Sequence, residues 1–221
     1  MNATISADIV RSTSLATLDL IAFRDGLRRL LRHIETDYSG FWARIIRGDS
    51  IECFVPHAKD ALRIAILIKL YVKMQASEFD CSDMLKRYGI RFSIGASEGL
   101  YESKADDIIN GPAIFISGRN LDAISIKDSS MTAFEIEGES KQLNNLLDSY
   151  VSMISSIVDS YSAKQASVVF YKLQGYKESE ISNILGIYQS SVNTRASNAQ
   201  WGLLNTAIKD FENLNIEKLC V

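Results

Sequence analysis

The chain has 221 residues, of which 47% are hydrophobic and 23% are charged, as in ordinary globular proteins. This length suits one large domain or two small ones. The net charge of -3 and the pI near 5.5 exclude a uniformly basic surface, the property that supplies most non-specific affinity for nucleic acid.

The apolar runs of the chain are too short for a membrane span. The longest, at 61–72, is interrupted by Arg63 and Lys69, and no basic segment precedes a hydrophobic one near residue 1. We therefore expect a cytoplasmic protein with no membrane partner. The cysteines show no metal-ligand spacing, and their odd number argues against a disulfide framework. They are Cys53, Cys81 and Cys220.

The first part of the chain alternates strand-like and helix-like patterns. Residues 3–10 predict a short buried strand, and 41–47 with 51–55 predict a β-hairpin around Gly48-Asp49-Ser50. Between them, apolar residues recur at helical spacing: Leu20, Phe23, Leu27, Leu30, Leu31 and Ile34. The candidate N-caps of this helix are Ser12, Thr13 and Ser14.

The same alternation continues to residue 136. We expect a helix over 57–75, a strand over 88–96, a helix from Gly111-Pro112 to about 124, and a strand near 131–136. The order β-α-β-β-α-β, with a further helix and strand, is the split βαβ layout of ferredoxin-like folds. The sequence therefore predicts an α+β fold with a ferredoxin-like domain over 1–138.

Two carboxylates stand at neighbouring places in that layout. Asp8 lies near the end of the first strand, and Asp49 lies in the hairpin. Paired carboxylate oxygens at such a point are a usual means of holding Mg²⁺ or Mn²⁺ against phosphates, because hard cations prefer oxygen ligands. The backbone amides that follow, at Arg11, Ser12 and Thr13, predict an anion cradle for a nucleotide.

Four segments of the front domain occur in a recognisable order. They are Ala7-Asp8-Ile9-Val10-Arg11-Ser12-Thr13, Arg47-Gly48-Asp49, Arg91-Phe92-Ser93-Ile94-Gly95, and Gly111-Pro112-Ala113-Ile114 with Arg119. This order resembles the signature segments of class III adenylate and guanylate cyclase domains. The resemblance implies that Asp8 and Asp49 bind metal ions. It also implies that Arg119 stabilises a transition state across a dimer interface.

Three positions depart from the cyclase pattern. Phe115 stands at the position of a catalytic Asn, Ile45 at that of the lysine that selects adenine, and Arg11 at that of a glycine. The first two differences remove a catalytic group and a base-selecting group. They argue against cyclase activity.

Each matched residue also has a structural explanation. Gly48-Asp49 is a common hairpin turn, Asp8 is placed to cap the helix that it precedes, and Arg119 on a helix can pair with a surface carboxylate. The order of the segments, rather than any single residue, is what favours a metal or nucleotide site.

Residues 139–161 predict a connecting helix. Its apolar residues follow a three-four repeat: Leu143, Leu146, Leu147, Tyr150, Val151, Ile154 and Ile157. The pattern suits a helix packed on its own chain or a dimerisation helix. Intramolecular packing is the commoner outcome for this length, since a coiled coil needs sustained heptads.

Residues 162–221 carry three short helix patterns. An apolar helix stops at Gly175, a second spans Glu178 to Leu185, and Gly186 turns the chain into a third. Glu178 and Glu180 suit the positive end of the second helix dipole. The expected inward residues are Val168, Val169, Tyr171, Leu173, Ile181, Ile184, Leu185, Ile187 and Val192.

The third of these helices carries polar side chains outward. They are Gln189, Ser190, Asn193, Thr194 and Arg195, followed by Asn198. Amide side chains pair with adenine edges, Arg pairs with guanine edges, and hydroxyls bind phosphate or base. The alternative is an αα-hairpin used for packing or dimerisation, on which the polar residues are only solvated.

This tail resembles the helix-turn-helix of LuxR-type response regulators and of sigma factor region 4, whose third helix lies in the major groove. The whole chain resembles the small bacterial SatD family, which joins a front domain with Gly-Asp and Gly-Pro-Ala segments to a C-terminal helix-turn-helix. The resemblance implies an all-α DNA-binding domain over 162–221 and double-stranded DNA as partner. Because the tail is weakly charged, we also expect a homodimer.

The sequence therefore predicts a DNA-binding transcriptional regulator with a degenerate cyclase-like sensor domain, for a nucleotide ligand that the sequence does not identify. One alternative is a divergent nucleotidyl cyclase, or another metal-dependent nucleotide-processing enzyme, whose helix-turn-helix serves assembly. Another is an adaptor that has lost both functions.

Overall fold

A computed structural model describes residues 1–46, 48–125 and 131–214. The strands of this part of the chain are β1 Asn2–Ile9, β2 Trp42–Ile46, β3 Ser50–Val55, β4 Ile90–Ser97, β5 Tyr101–Ser103, β6 Ile108–Asn110 and β7 Thr132–Ile136. The helices are α1 Thr17–Asp37, α2 Ala61–Ala76, α3 Asp83–Tyr88, α4 Pro112–Ala123, α5 Lys141–Asp159, α6 Ala163–Leu173, α7 Glu178–Leu185, α8 Gln189–Asn198 and α9 Trp201–Asn213. The fold is mixed α+β, as predicted. Two residues singled out from the sequence, Arg47 and Cys220, lie outside the described residues.

The predicted strands and long helices are present, but the start of α1 was predicted wrongly. Ser12–Ser14 form a short 3-10 turn, and α1 begins only at Thr17, after Ala16, with no side-chain cap. The Ser12 hydroxyl donates instead to Asp49 Oδ2 at 2.6 Å. The helices α3 and α9 and the small hairpin of β5 and β6, whose strands have three residues each, were not predicted from the sequence.

Five strands form the main sheet in the order β2-β3-β1-β4-β7. β1 is central and antiparallel to both neighbours, so that Ile5 pairs with Cys53 on one side and with Ile94 on the other. β4 and β7 run parallel. Because side chains alternate along a strand, this register sends Ile5 and its equivalents to one face, and Ser6 and Asp8 to the other.

One face of the sheet forms the main hydrophobic core with α1, α2 and α5. Every second residue of β1 contributes to it, as do buried residues of α6 and α9, such as Val169 and Phe211. Full burial of one large apolar side chain contributes about 1.5–3 kcal/mol. Described residues of the front part of the chain and of α6 and α9 share this one core. Helix α5 packs on its own chain, the commoner of its two predicted arrangements.

The other face of β1 and β4 is covered by α4 through a polar, tightly packed seam. The hydroxyl of Ser117 on α4 lies 2.9 Å from that of Thr4 and 2.8 Å from that of Ser6. Gly95 on β4 lies under α4, where a Cβ atom would collide with the carbonyl oxygen of Ala113. Glycine is thus required here by the close approach of the helix backbone.

The open edge of β7 is closed by side chains of α5. The backbone amide of Phe134 donates to Asp148 Oδ1 at 2.8 Å, and that of Ile136 donates to Asn144 Oδ1 at the same distance. Four residues of helix and two residues of strand span nearly the same length, about 6–7 Å, so the two acceptors are spaced like the two amides. They satisfy donors that would otherwise be free to pair with another chain.

Two lysines of α2 are buried where the front of the chain meets its C-terminal helices. Lys69 Nζ lies 2.8 Å from Asp159 Oδ1 and donates to the Ile90 carbonyl. Lys73 Nζ, one turn later, donates to the carbonyls of Lys86, Arg87 and Asp159. These contacts tie α2 to the ends of α3 and α5.

Burial lowers the pKa of Lys73 from 10.5 to about 8, although the Asp159 carboxylate opposes the shift. In the unfolded chain the ammonium keeps its ordinary pKa. Between these two pKa values the unfolded state binds more protons than the folded state, so the free energy of unfolding rises as the pH increases. The limiting gain is on the order of 3 kcal/mol.

We expect the free energy of unfolding of Lys73→Met to rise less between pH 8 and pH 10 than that of the wild type, because the variant has no ammonium to neutralise. Denaturant unfolding at several pH values measures this difference. Lys86→Met, which removes an exposed lysine of α3, serves as the control and should retain the wild-type dependence. Equal slopes for Lys73→Met and the wild type would contradict the assignment.

Candidate functional site

The C-terminal helices α6, α7 and α8 form a small unit with its own core. Val168, Ile181, Val192 and Ala196 are buried together, with Leu185 and Ile187 half-buried at the rim. Gly186 ends α7 in the left-handed conformation with φ 62°, as the sequence predicted. The turn allows α8 to pack across both α6 and α7.

One predicted core residue is on the surface. Ile184 was expected to face inward, but its side chain is 47% exposed, whereas Val192 is fully buried. Positions 184 and 185 lie on opposite sides of Ile181 around the helix, and the small core lies on the side of Leu185, which leaves Ile184 outside. A charge at position 184 would therefore remain solvated, while one at position 192 would be buried without a partner.

The predicted DNA-binding residues all lie on α8. Gln189, Ser190, Asn193 and Thr194 are exposed, and Arg195 is half-buried beside them. The Thr194 hydroxyl donates to the Ser190 carbonyl at 2.9 Å, a contact within the helix. The four exposed residues thus share one uncovered side of the unit, and Arg195 lies at its border.

Charge around α8 is arranged so that no free carboxylate lies on the helix. The sequence from Tyr188 to Gln200 contains no Asp or Glu. The two carboxylates of α7 are already engaged, since Glu178 pairs with Lys172 at 2.8 Å and Glu180 accepts from the Lys177 amide at 2.7 Å. A phosphate backbone approaching α8 therefore meets no carboxylate on the helix itself.

Asp8 and Asp49 lie at one edge of the main sheet. The carbonyl of Asp49 accepts from the Ile9 amide at 3.1 Å, so the hairpin turn is held beside the end of β1. Asp8 is bound by both of its neighbouring strands: Ser50 donates to Oδ1 at 2.6 Å, and Arg91 Nη2 lies 2.8 Å from Oδ2. Asp8 therefore does not cap the following helix.

These two carboxylates are the residues that would hold Mg²⁺ or Mn²⁺. Their oxygen donors suit a hard cation, and their backbones are adjacent. A cation bound by both would displace contacts that the structure shows, namely Arg91 from Asp8 and Ser12 from Asp49 Oδ2. Among the described residues, no group of three or more His, Cys, Asp or Glu side chains is arranged to hold a metal.

The predicted anion cradle has an unusual backbone. Arg11 adopts the left-handed conformation with φ 54° and ψ 38°, and helical residues Ser12 to Ser14 follow it. The amides of Arg11, Ser12 and Thr13 donate to no acceptor within the described residues. Successive amides in such a turn form a concave anion-binding surface. Glycine adopts this conformation without the steric penalty that the Arg11 side chain brings.

Arg119 is not part of this edge. It lies on the exposed side of α4 and pairs with Glu135 of β7 at 3.2 Å, and Asn120 donates to the same carboxylate at 2.7 Å. β7 is two strands away from β1, so the structure separates Arg119 from Asp8 within one chain. Phe115, on the same helix, is largely exposed.

The sequence analysis missed the residues that fix Asp8. Ser50 was noted only as part of a turn, and Arg91 only as part of a quoted segment. Their positions opposite Asp8 depend on the register of β1 with β3 and β4. The available signal was strand alternation, which puts Arg91 on the face opposite the buried Phe92.

Comparison with known proteins finds no matching family model, curated protein or solved structure. No helix among the residues that the structure describes is both long enough and apolar enough to cross a membrane. The two candidate sites of the protein are the α8 face and the Asp8–Asp49 edge.

Arg11→Gly should stabilise the protein by roughly 1 kcal/mol, because only glycine adopts the left-handed conformation without a steric penalty. Arg11→Ala removes the same guanidinium but keeps the penalty, so it is the matched control. Denaturant unfolding of the three proteins measures the difference. Equal stability of the Gly and Ala variants would show that this backbone is not strained.

Proposed function

We propose that this protein is a DNA-binding regulator whose α8 helix enters the major groove and whose front part senses an anionic ligand. The observation that carries the proposal is the outward face of α8. It combines amide, hydroxyl and guanidinium groups, lacks carboxylates and projects from a packed three-helix unit.

The helix-turn-helix assignment is part of this proposal. It is supported by the succession of α7, a left-handed Gly186 and α8, and by packing of α8 against both preceding helices. Membership of the SatD family belongs to the same proposal, supported by the Gly48-Asp49 and Gly111-Pro112-Ala113 segments.

The ferredoxin-like, cyclase-like assignment of the front part is likewise a proposal. It is supported by the position of β1 between β3 and β4, antiparallel to both, with α1 and α2 on one face. Phe115 and Ile45 stand in place of a catalytic and a base-selecting residue, so we propose a sensor rather than a cyclase.

A ligand at the front part has a physical connection to the DNA-binding unit. Helix α2 packs on β1 and β4 on one side and on α6 on the other. Arg63 of α2 also pairs with Glu212 of α9 and donates to the Leu173 carbonyl at 3.0 Å. A small displacement of β1 or β4 would therefore shift α2 and, through it, α6, on which α8 packs.

We further propose that the protein acts as a homodimer. α8 has one cationic residue, Arg195, and the phosphate contacts of a single copy are correspondingly few. Two linked copies raise affinity without new contacts, because the second binding event becomes intramolecular.

DNA binding is tested by selecting fragments from a bacterial genomic library with the purified protein at low salt. Asn193→Ala should then relax recognition of the enriched site, since a bidentate base contact contributes about 1–3 kcal/mol, and Arg195→Ala should weaken binding to it. Lys209→Ala, an exposed cation on α9, is the control. Absence of any enriched fragment, or unchanged binding by both α8 variants at low and moderate salt, would show that α8 is a packing element.

The ligand half of the proposal is tested by calorimetry with ATP or GTP in the presence of Mn²⁺. Asp8→Ala and Asp49→Ala should each abolish binding, because the remaining carboxylate then faces phosphate with too little positive charge between them. Asp106→Ala, at the exposed small hairpin, is the control. Unchanged affinity in both variants would remove this site. A cyclic product from the wild type would instead favour the enzyme.

A further inference from the structure

Two amide side chains form a row along the exposed face of α8. Gln189 and Asn193 are four residues apart, so they lie on the same side of the helix, about 6 Å apart along its axis. Successive base pairs of DNA are about 3.4 Å apart on each strand, so two steps span about 7 Å. The row therefore matches bases separated by one intervening pair.

The chemistry of this row favours adenine. A carboxamide offers a donor and an acceptor together, which matches the N7 acceptor and the N6 amino donor that adenine presents in the major groove. Guanine presents two acceptors in the major groove and is usually bound by Arg or Lys. Cytosine presents a donor and is usually bound by Asp or Glu. The fully exposed residues of α8 include none of these four types.

The three remaining candidates do not reverse this preference. The Ser190 hydroxyl binds bases without a strong choice among them. Arg195 is the only cation of α8, and it is half-buried beside Ser191 rather than in the Gln189–Asn193 row. Thr194 is exposed, but its hydroxyl hydrogen is given to the Ser190 carbonyl. It therefore cannot donate that hydrogen to a base. Its methyl group suits an apolar contact with the C5 methyl group of thymine.

We infer that α8 reads A·T base pairs, with Gln189 and Asn193 on two adenines separated by one base pair and Thr194 against a thymine methyl. This inference rests on the proposed DNA binding and adds the class of sequence that the helix recognises. Arg195 then contacts phosphate and contributes affinity rather than base preference.

The experiment is a selection from a random-sequence duplex pool, followed by atom-level changes in the selected DNA. We expect A·T pairs at two positions separated by one pair. Replacing the adenine read by Asn193 with 7-deazaadenine removes N7 and keeps Watson–Crick pairing. It should weaken wild-type binding by about 5- to 150-fold, the equivalent of about 1–3 kcal/mol. Asn193→Ala should lose the same preference and be insensitive to the modified base.

Two further variants separate base reading from general affinity. Arg195→Ala should weaken binding to all sequences alike, and its selected consensus should remain that of the wild type. Thr194→Ser should lose sensitivity to replacement of the contacted thymine by uracil, which lacks the methyl group. Folding of each variant is checked by thermal unfolding, and all three sites lie outside the hydrophobic core.

The outcomes distinguish this inference from the function on which it rests. An enriched consensus with G·C pairs at the Asn193-dependent positions would overturn the inference and leave DNA binding intact. So would a wild-type affinity that is indifferent to 7-deazaadenine at every selected adenine. Failure of the pool to enrich any sequence, at low salt, would overturn both.

Discussion

The burial of helix α2 is the constraint on which the rest of the structure depends. Twelve of its sixteen residues are buried, because the sheet lies on one side of it and α6 lies on the other. A helix covered in this way removes much apolar surface from water, which is the main favourable contribution to folding. It also leaves no solvent-facing side for its lysines, so Lys69 and Lys73 must find partners inside the protein.

Those partners come from several parts of the chain. Asp159 ends α5, the carbonyl of Ile90 begins β4, and the carbonyls of Lys86 and Arg87 end α3. Burial lowers the pKa of both ammonium groups, and the nearby carboxylate opposes that effect. The front part and the C-terminal helices are thus joined by polar contacts with defined geometry, and not by apolar packing alone.

The two candidate sites differ in how their charges are arranged. At the sheet edge, Asp8 and Asp49 are each engaged by a neighbouring side chain, and any cation or anion must compete with those contacts. On α8 the polar groups face solvent, and the nearby carboxylates are held by Lys172 and the Lys177 amide. The first arrangement suits a site that responds to a ligand. The second suits a surface that is ready to bind.

The sequence by itself determined the strands and helices with strong periodicity, the α+β class and the membership of the α8 face. Alternation and three-four spacing are local properties, and Gly186 in the left-handed conformation follows from its lack of a Cβ atom. The short elements β5, β6 and α3 were missed because three to six residues carry too little periodicity. Helix α9 was also missed, although its thirteen residues carry apolar residues at helical spacing, namely Leu204, Ile208 and Phe211.

Only the tertiary structure decided the partners of the charged residues. Pairing of Asp8 with Arg91 depends on strand register across 83 positions of sequence, and Arg119 meets Glu135 because β7 lies beside β4. The exposure of Ile184 and the burial of Lys69 and Lys73 have the same origin. The position of a residue in a helix or strand determines the direction in which its side chain points. The residue that it contacts depends on how distant segments of the chain pack.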